Sequence, residues 1–207
     1  IILIGNFDGV HLGHQKLFKL AQSYKKKYNL KIGVINFDPM PKMFFNKTLK
    51  NFRLSSISQK LNLLDSLGID FITSVYFPET VDFLVEIHVD AIKVSKGDVN
   101  NVLLIDKISK TGLPVILDAR EKFDDVEIDI NICEQNNNSQ IIIMHCPSGY
   151  PAENSGVHLY AIKSICENYD YPVGFADHSL GSLMNFPAIS LGASMLEVTI
   201  TENKNIE

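Results

Sequence analysis

Residues 141–151 read Ile-Ile-Ile-Met-His-Cys-Pro-Ser-Gly-Tyr-Pro, and residues 172–181 read Pro-Val-Gly-Phe-Ala-Asp-His-Ser-Leu-Gly. Each is a short apolar run that stops abruptly in His, Ser, Tyr or Gly. That is the pattern of a parallel strand, buried on both faces, that hands polar side chains to a loop at its carboxyl end. Between the runs, Val157, Leu159, Ile162, Ile165 and Cys166 recur at near-helical spacing, so the stretch reads strand–helix–strand. Parallel strands, in open sheets or closed barrels, present their chemistry at their carboxyl ends. His145 and His178 therefore belong at the same end of neighbouring strands.

Outward from this stretch the same rhythm repeats. Strand patterns fall at 1–4, 31–37, 71–76, 91–95, 115–119, 141–146, 173–176 and 195–200. Helical patterns fall at 12–28, 55–67, 79–86, 100–110, 121–135, 153–168 and 181–191, with Phe123, Val126, Ile130 and Cys133 forming a 3.6-residue stripe. Residues 42–54 read as a loop with a short helix. Ser55 or Ser56 caps the second helix, and Lys25, Lys26 and Lys27 complement the dipole at the end of the first. Two strands before residue 40 and six after residue 70 make eight β-α units, which predicts a (β/α)8 barrel spanning 1–207, with Leu3 and Ile35 among its inward residues. An open doubly wound sheet is the alternative.

The chain has 207 residues, 45% hydrophobic content, a mean hydropathy of +0.06 and a net charge of −5. These values describe an ordinary globular protein, and the acidic balance argues against a nucleic-acid partner. No apolar run approaches the ~18–20 residues that cross a bilayer, so no membrane partner is expected. No signal peptide is visible, and the absence of an initiator Met fits a trimmed chain or a fragment. Cys133, Cys146 and Cys166 are odd in number and fit no C-x-x-C spacing, so all three are expected as buried free thiols in a cytoplasmic protein.

The segment "HC-x-S-x-YP" at 145–151 and the segment "G-F-x-DH-x-x-G" at 174–181 resemble the sialic acid (N-acetylneuraminate) synthase family. So do "GIDFITS" at 68–74, "DAIKVSKGD" at 90–98, "TGLPVILD" at 111–118 and "LGASMLE" at 191–197. The likeness runs over about residues 68–201. It implies a carbon–carbon bond-forming transferase that condenses phosphoenolpyruvate with an amino-sugar aldehyde at the mouth of a barrel. It implies Lys93, Tyr150, Asp177 and His178 as catalytic residues, with Ser148 lining the substrate pocket; a strand-end cap that orients His178 is the alternative for Asp177. Apart from what the family uses, Lys96, where the family has Ser, and Arg120 add positive charge for a rebuilt anion site in the substrate pocket, and His145 is a candidate second nitrogen beside His178. The likeness also implies a divalent metal, Mn2+ or Mg2+, on His178. A lysine inside an apolar strand hints at function by itself, although a pairing with a neighbouring carboxylate would also account for it. Thr199 stands where the family has its second metal histidine, and Asp118-Ala119-Arg120 replaces Ser-Thr-Gly. Ala176 replaces Ser, and Leu3 and Ile35 stand where the family carries Glu and Lys. The resemblance thus implies an impaired synthase.

Gly5-Asn6-Phe7-Asp8-Gly9-Val10-His11-Leu12-Gly13-His14 resembles a different family, the nucleotidylyl transferase part of bacterial FAD synthetases. "NFDP-x-P" at 36–41 and "RLSSISQKLNLLDSLGID" at 53–70 continue that likeness. Two histidines three residues apart at a helix start share one face beside unpaired N–H groups, an arrangement suited to the phosphates of ATP. The alternative activity is therefore adenylyl transfer through Asn6, Asp8, His11 and His14. That family's second, Ser/Thr-rich signature is not found downstream. Segments 1–67 and 68–207 together read as a hybrid, in which two β-α units of a nucleotide-binding fold stand in for the first two of a barrel. An inactive hybrid barrel is the third expectation.

Overall fold

The computed structural model describes residues 1–36, 54–119 and 123–199. Eight strands follow one another in chain order and close into a barrel, as the count of β-α units requires. They are β1 (Ile2–Ile4), β2 (Gly33–Asn36), β3 (Asp70–Ser74), β4 (Ala91–Val94), β5 (Val115–Asp118), β6 (Ile141–His145), β7 (Val173–Asp177) and β8 (Met195–Thr199). Helices alternate with them: α1 (Leu12–Tyr28), α2 (Ile57–Ser66), α3 (Val81–Glu86), α4 (Val102–Ser109), α5 (Phe123–Gln135), α6 (Tyr160–Asn168) and α7 (Asn185–Ser190). The open-sheet alternative is thereby set aside. None of the described helices is long and apolar enough to cross a membrane.

Packing divides the described chain into two compact units, one of residues up to Ser74 with Thr199 and one of Val75–Val198. In the first, β1, β2 and β3 pair in parallel. The side chain of His11 caps α1 by accepting from the N–H groups of Gly13 and His14, and Asn29 closes the helix in the left-handed conformation. A reciprocal Ser56–Gln59 capping box starts α2. Ser55 is used differently: its N–H and hydroxyl donate to Asp8.

Register corrects one expectation. Leu3 lies beside Val34, and Ile4 lies beside Ile35, so Leu3 and Ile35 occupy opposite faces. Asn36, on the Leu3 side, accepts from Lys60 of α2, which identifies that side as the helix-facing one. Ile35 therefore faces inward with Ile4 and Ile72, while Leu3 lies against the helix layer.

In the second unit, β4 to β8 pair in parallel and in order. Val126, Ile130 and Cys133 of α5 are buried, as their spacing predicts. The helix expected over 153–168 begins only at Tyr160, because His158 sits at a φ of 48°, which no right-handed helix contains. Cys133 and Cys146 are buried and Cys166 is exposed, contrary to expectation. α6 buries Ile162 and Ile165, and Cys166 lies one position further around its axis. Expectations for residues 37–53, 120–122 and 200–207, Arg120 among them, lie outside the described residues.

Candidate active site

Strand alternation decides which side chains can meet. Residues in register on parallel strands share a face, and successive residues alternate faces. Lys93 is in register with Ile116, and Ile116 with Ile142. Asp118 is in register with Met144, Met144 with Gly174, and Gly174 with Met195. Ala176 then lies beside Glu197. These residues line the barrel interior. Gly174 leaves the room that Met144 fills, since a Cβ there would stand 2.6 Å from the Met144 sulfur. Continuing the alternation brings Cys146 and His178 to the same interior face just beyond β6 and β7.

The interior is organised by an ion pair. Lys93 Nζ donates to Glu197 Oε2 at 2.5 Å, with the two residues 6% and 3% exposed. Burial by itself would lower the ammonium's pKa. The charge of Glu197, the charge of Cys146, the hydrogen bond to Glu197 and the charge of Asp118 together outweigh burial, so the pKa is raised and the lysine stays protonated. Cys146 lies with its sulfur 3.6 Å from Nε2 of His178. The Tyr150 ring stands edge-on to the His178 ring at 4.8 Å, and Tyr150 is largely exposed. The backbone supports this corner, because Ala152 N–H donates to the carbonyl of His178 at 2.8 Å. Lys93, Cys146, Tyr150, His178 and Glu197 thus form a chain of neighbours at the carboxyl ends of β4, β6, β7 and β8.

Other residues singled out from sequence lie elsewhere. His145 is on the opposite face of β6: it stacks on Phe175, and its Nε2 donates to the Val157 carbonyl at 2.7 Å, which ties down the segment before α6. Asp177 is likewise on the outward face of β7. Its Oδ1 accepts from the Ser179 N–H at 3.0 Å and the Ser179 hydroxyl at 2.6 Å, a strand-end cap. Both differ from the interior residues by a single step of alternation. Ser148 is exposed, and Lys96 is partly exposed in a 3-10 turn, Lys96–Asp98. His88 and His158 are exposed. Glu197 carried no assignment from sequence. The available signal was the buried Lys93, which needs a carboxylate and finds it 104 residues away.

In the first unit, Asp8 accepts from the N–H groups of Leu54 and Ser55 at 2.7 and 3.0 Å. Burial pushes its pKa up, and these bonds with the nearby Lys60 ammonium more than reverse it. The His11 and His14 rings stack at 3.7 Å, and Asn6 is exposed with its carbonyl bonded to Lys60.

The donor set can be compared with the metal that the resemblance implies. Among the described residues, no group of three His, Cys, Asp or Glu side chains is placed to hold an ion. The sulfur beside His178 is a soft donor, unlike the oxygen-rich sets that Mg2+ and Mn2+ favour. The described residues do not fit such an ion.

A (β/α)8 barrel with an interior lysine at the carboxyl ends of its strands is a familiar enzyme architecture. The chain matches the NeuB family over residues 17–207 and belongs to that family. It is 35% identical over 144 residues to an uncharacterized protein of Methanocaldococcus jannaschii, covering 69% of this chain and 43% of that one. It is 28% identical over 165 residues to the N,N'-diacetyllegionaminic acid synthase of Legionella pneumophila, covering 76% and 46%. The chain thus spans less than half the length of these curated relatives. The N-acetylneuraminic acid synthetase of Leptospira borgpetersenii, solved with citrate, superposes with a TM-score of 0.76 at 24% identity, covering 97% of this chain and 73% of that one. A partial match, 36% identical over 106 residues, is to the bifunctional riboflavin kinase/FMN adenylyltransferase of Buchnera aphidicola and covers 51% of this chain and 34% of that protein.

Proposed function

We propose that the chain is a sugar-acid synthase that condenses phosphoenolpyruvate with an amino-sugar aldehyde. Family membership and the synthase relatives support this reading. The observation that carries it is the protonated Lys93, buried inside the barrel beside Cys146, which in turn touches His178. Lys93 steadies the carboxylate or phosphate of the enol substrate by charge-assisted hydrogen bonding. Tyr150 and Ser148 are exposed in the loop that follows β6. The new bond joins the methylene carbon of the enol to the aldehyde carbon, and the aldehyde oxygen gains a negative charge that needs a proton. In this reading His178, half-buried between Cys146 and Tyr150, hydrogen-bonds that oxygen and delivers the proton. Water adds to the enol's electron-poor C2 as the new bond forms, and the C2–O bond to phosphate then breaks, so phosphate is released and C2 is left as a ketone. The residues that replace family positions, Thr199 among them, make this a slow synthase.

The test is sugar-dependent phosphate release from phosphoenolpyruvate, with and without Mn2+, in the parent, Lys93→Ala and His178→Ala. Release in the parent that both variants lose is the expected result. Equal rates in parent and His178→Ala remove His178 from the mechanism, and no release from the parent sinks the reading.

The partial adenylyltransferase match favours a second reading, a hybrid in which residues 1–67 derive from a nucleotidylyl transferase. In that reading Asn6, Asp8, His11 and His14 would meet ATP.

A further inference from the structure

Two faces that the barrel interior does not use carry opposite charge. Residues 9–37 contain six lysines and no Asp or Glu, and residues 75–92 contain Glu79, Asp82, Glu86 and Asp90 and no Lys or Arg. The first stretch holds α1, in the first unit, and the second holds α3, in the second. We propose that these faces dock on one another between copies of the chain, α1 of one copy against the α3 region of the next.

On α1, Phe18 and Ala21 mark the buried side, and Lys16, Lys19, Leu20, Tyr24, Lys26 and Tyr28 are exposed. Lys19 and Lys26 stand two turns apart on one side of the helix. With Gln22, Ser23 and Lys25 they line a depression of about 550 Å³. Lys25 donates to the Gly68 carbonyl at 3.3 Å, and Lys27 sits over the Tyr28 ring at 5.0 Å. Lys16, Lys19 and Lys26 have no partner among the described residues. On the other face, Glu79, Asp82 and Glu86 recur at helical spacing and are exposed. Asp82 accepts from the ammonium of Lys107 on α4 at 2.6 Å, which ties α4 to α3. Phe83, next to Asp82, and Leu103, one turn before Lys107, are exposed on either side of that pair. Glu79 and Glu86 have no partner among the described residues. Each face thus mixes exposed apolar groups with charge of one sign, as an interface with an apolar centre and a polar rim requires, and each supplies the sign that the other lacks. A lipid surface or a nucleic acid would answer the lysines and leave the acidic face unanswered; a second copy answers both. Because the two faces differ, the contact is heterologous. Every added copy leaves one α1 and one α3 region open, so growth passes the dimer unless a ring closes.

The contact is read by sedimentation velocity of the full chain across a concentration series, at about 20 mM and about 500 mM NaCl, since salt screens attraction between exposed charges. Mass should rise with concentration at low salt and fall towards the monomer at high salt. Lys19→Glu/Lys26→Glu should weaken association at least about tenfold, because like charges then meet, and Glu79→Lys/Glu86→Lys should do the same. An equimolar mixture of the two variants should recover association to within about threefold of the parent. In that mixture the acidic α1 of one variant meets the basic α3 region of the other, and the two unaltered faces still match. Misfolded variants could not restore the contact, so recovery also reports that both fold. A parent that stays monomeric at low salt, a mass unaffected by salt, or a mixture no more associated than its components overturns the proposal. So does a monomer whose α1 lysines bind anionic phospholipid vesicles or a single-stranded oligonucleotide, because either result assigns that face to another partner.

Discussion

The two compact units each bury a lysine, and the two lysines are used in opposite ways. Lys60, on α2 in the first unit, is 4% exposed and donates to the Asn6 carbonyl at 2.6 Å and the Asn36 side-chain oxygen at 3.0 Å. Lys93, on β4 in the second unit, is 6% exposed and donates to a carboxylate on β8. Lys60 approaches from the helix layer and fastens a helix to the ends of β1 and β2, so its work is done once the chain has folded. Lys93 stands on the inward face of the barrel and pairs there with a carboxylate. Burial of a lysine is therefore a poor guide to function on its own. The face on which it lies separates a strut from a site.

Substitution of each lysine should separate these roles, and Lys93 should give the largest effect. Lys93→Met leaves Glu197 buried without its counter-charge and should cost about 3–5 kcal/mol in urea denaturation. Adding Glu197→Leu should recover most of that loss, because a buried ion pair exchanged for apolar groups of similar volume is often near neutral. The double variant should nevertheless release no phosphate. Lys60→Met removes a donor from two oxygens and should cost about 1–3 kcal/mol while leaving phosphate release unchanged. Activity that falls in Lys60→Met as far as in Lys93→Met would break the distinction.

Much of this was legible in the chain. Eight apolar runs alternating with helical stripes specified the barrel, because period-2 and period-3.6 patterns are local properties. The Ser56–Gln59 box and the basic last turn of α1 were equally readable. The faces were harder, since a one-residue shift in register exchanges interior and exterior. That is why His145 and Asp177, each adjacent in sequence to an interior residue, turn towards the helix layer and not to Lys93. Glu197 stayed hidden for another reason: its pairing depends on closure of the ring, which no local pattern encodes. Lys60 sits in "SISQKLNLL", where it looks like an ordinary solvent-facing helical residue.

The second unit offers a sharper contrast within itself, between a paired buried charge and a poorly paired one. Asp129 on α5 is fully buried, and its Oδ1 accepts only the Asn100 N–H among the described residues, at 3.2 Å. Burial pushes its pKa up to about 6, the bond from Asn100 opposes this, and Asp125 adds to it. The sign follows from proton counting. Between about pH 4 and pH 6 the folded protein holds a proton that the unfolded chain has released. Stability is then fully present below about pH 4, falls as pH rises to about 6, and is level beyond, a loss of ~1–3 kcal/mol. Asp129→Asn keeps an acceptor for Asn100 and removes the titration. It should flatten that part of the stability profile and make the protein more stable than the parent at neutral pH. A variant less stable than the parent at pH 7 would mean that the carboxylate's bond to Asn100 outweighs its burial.

The smallest effect is expected in the first unit, where the histidine pair resembles a nucleotide site. The N–H groups at a helix start attract phosphate because they lack partners. In α1 two of them are already engaged, since Nδ1 of His11 accepts from Gly13 N–H at 3.2 Å and from His14 N–H at 3.5 Å. Asp8 is committed to Leu54 and Ser55, and it would oppose an incoming phosphate by charge. ATP would have to displace the His11 cap, worth ~0.5–2 kcal/mol, before it gained a bond. Titration calorimetry with ATP should therefore show affinity no tighter than about millimolar, roughly 4 kcal/mol of binding. His14→Ala should change it by less than about threefold, well under 1 kcal/mol. Micromolar affinity that His14→Ala abolishes would show that the cap yields to phosphate, and would make the histidine pair a working site in its own right.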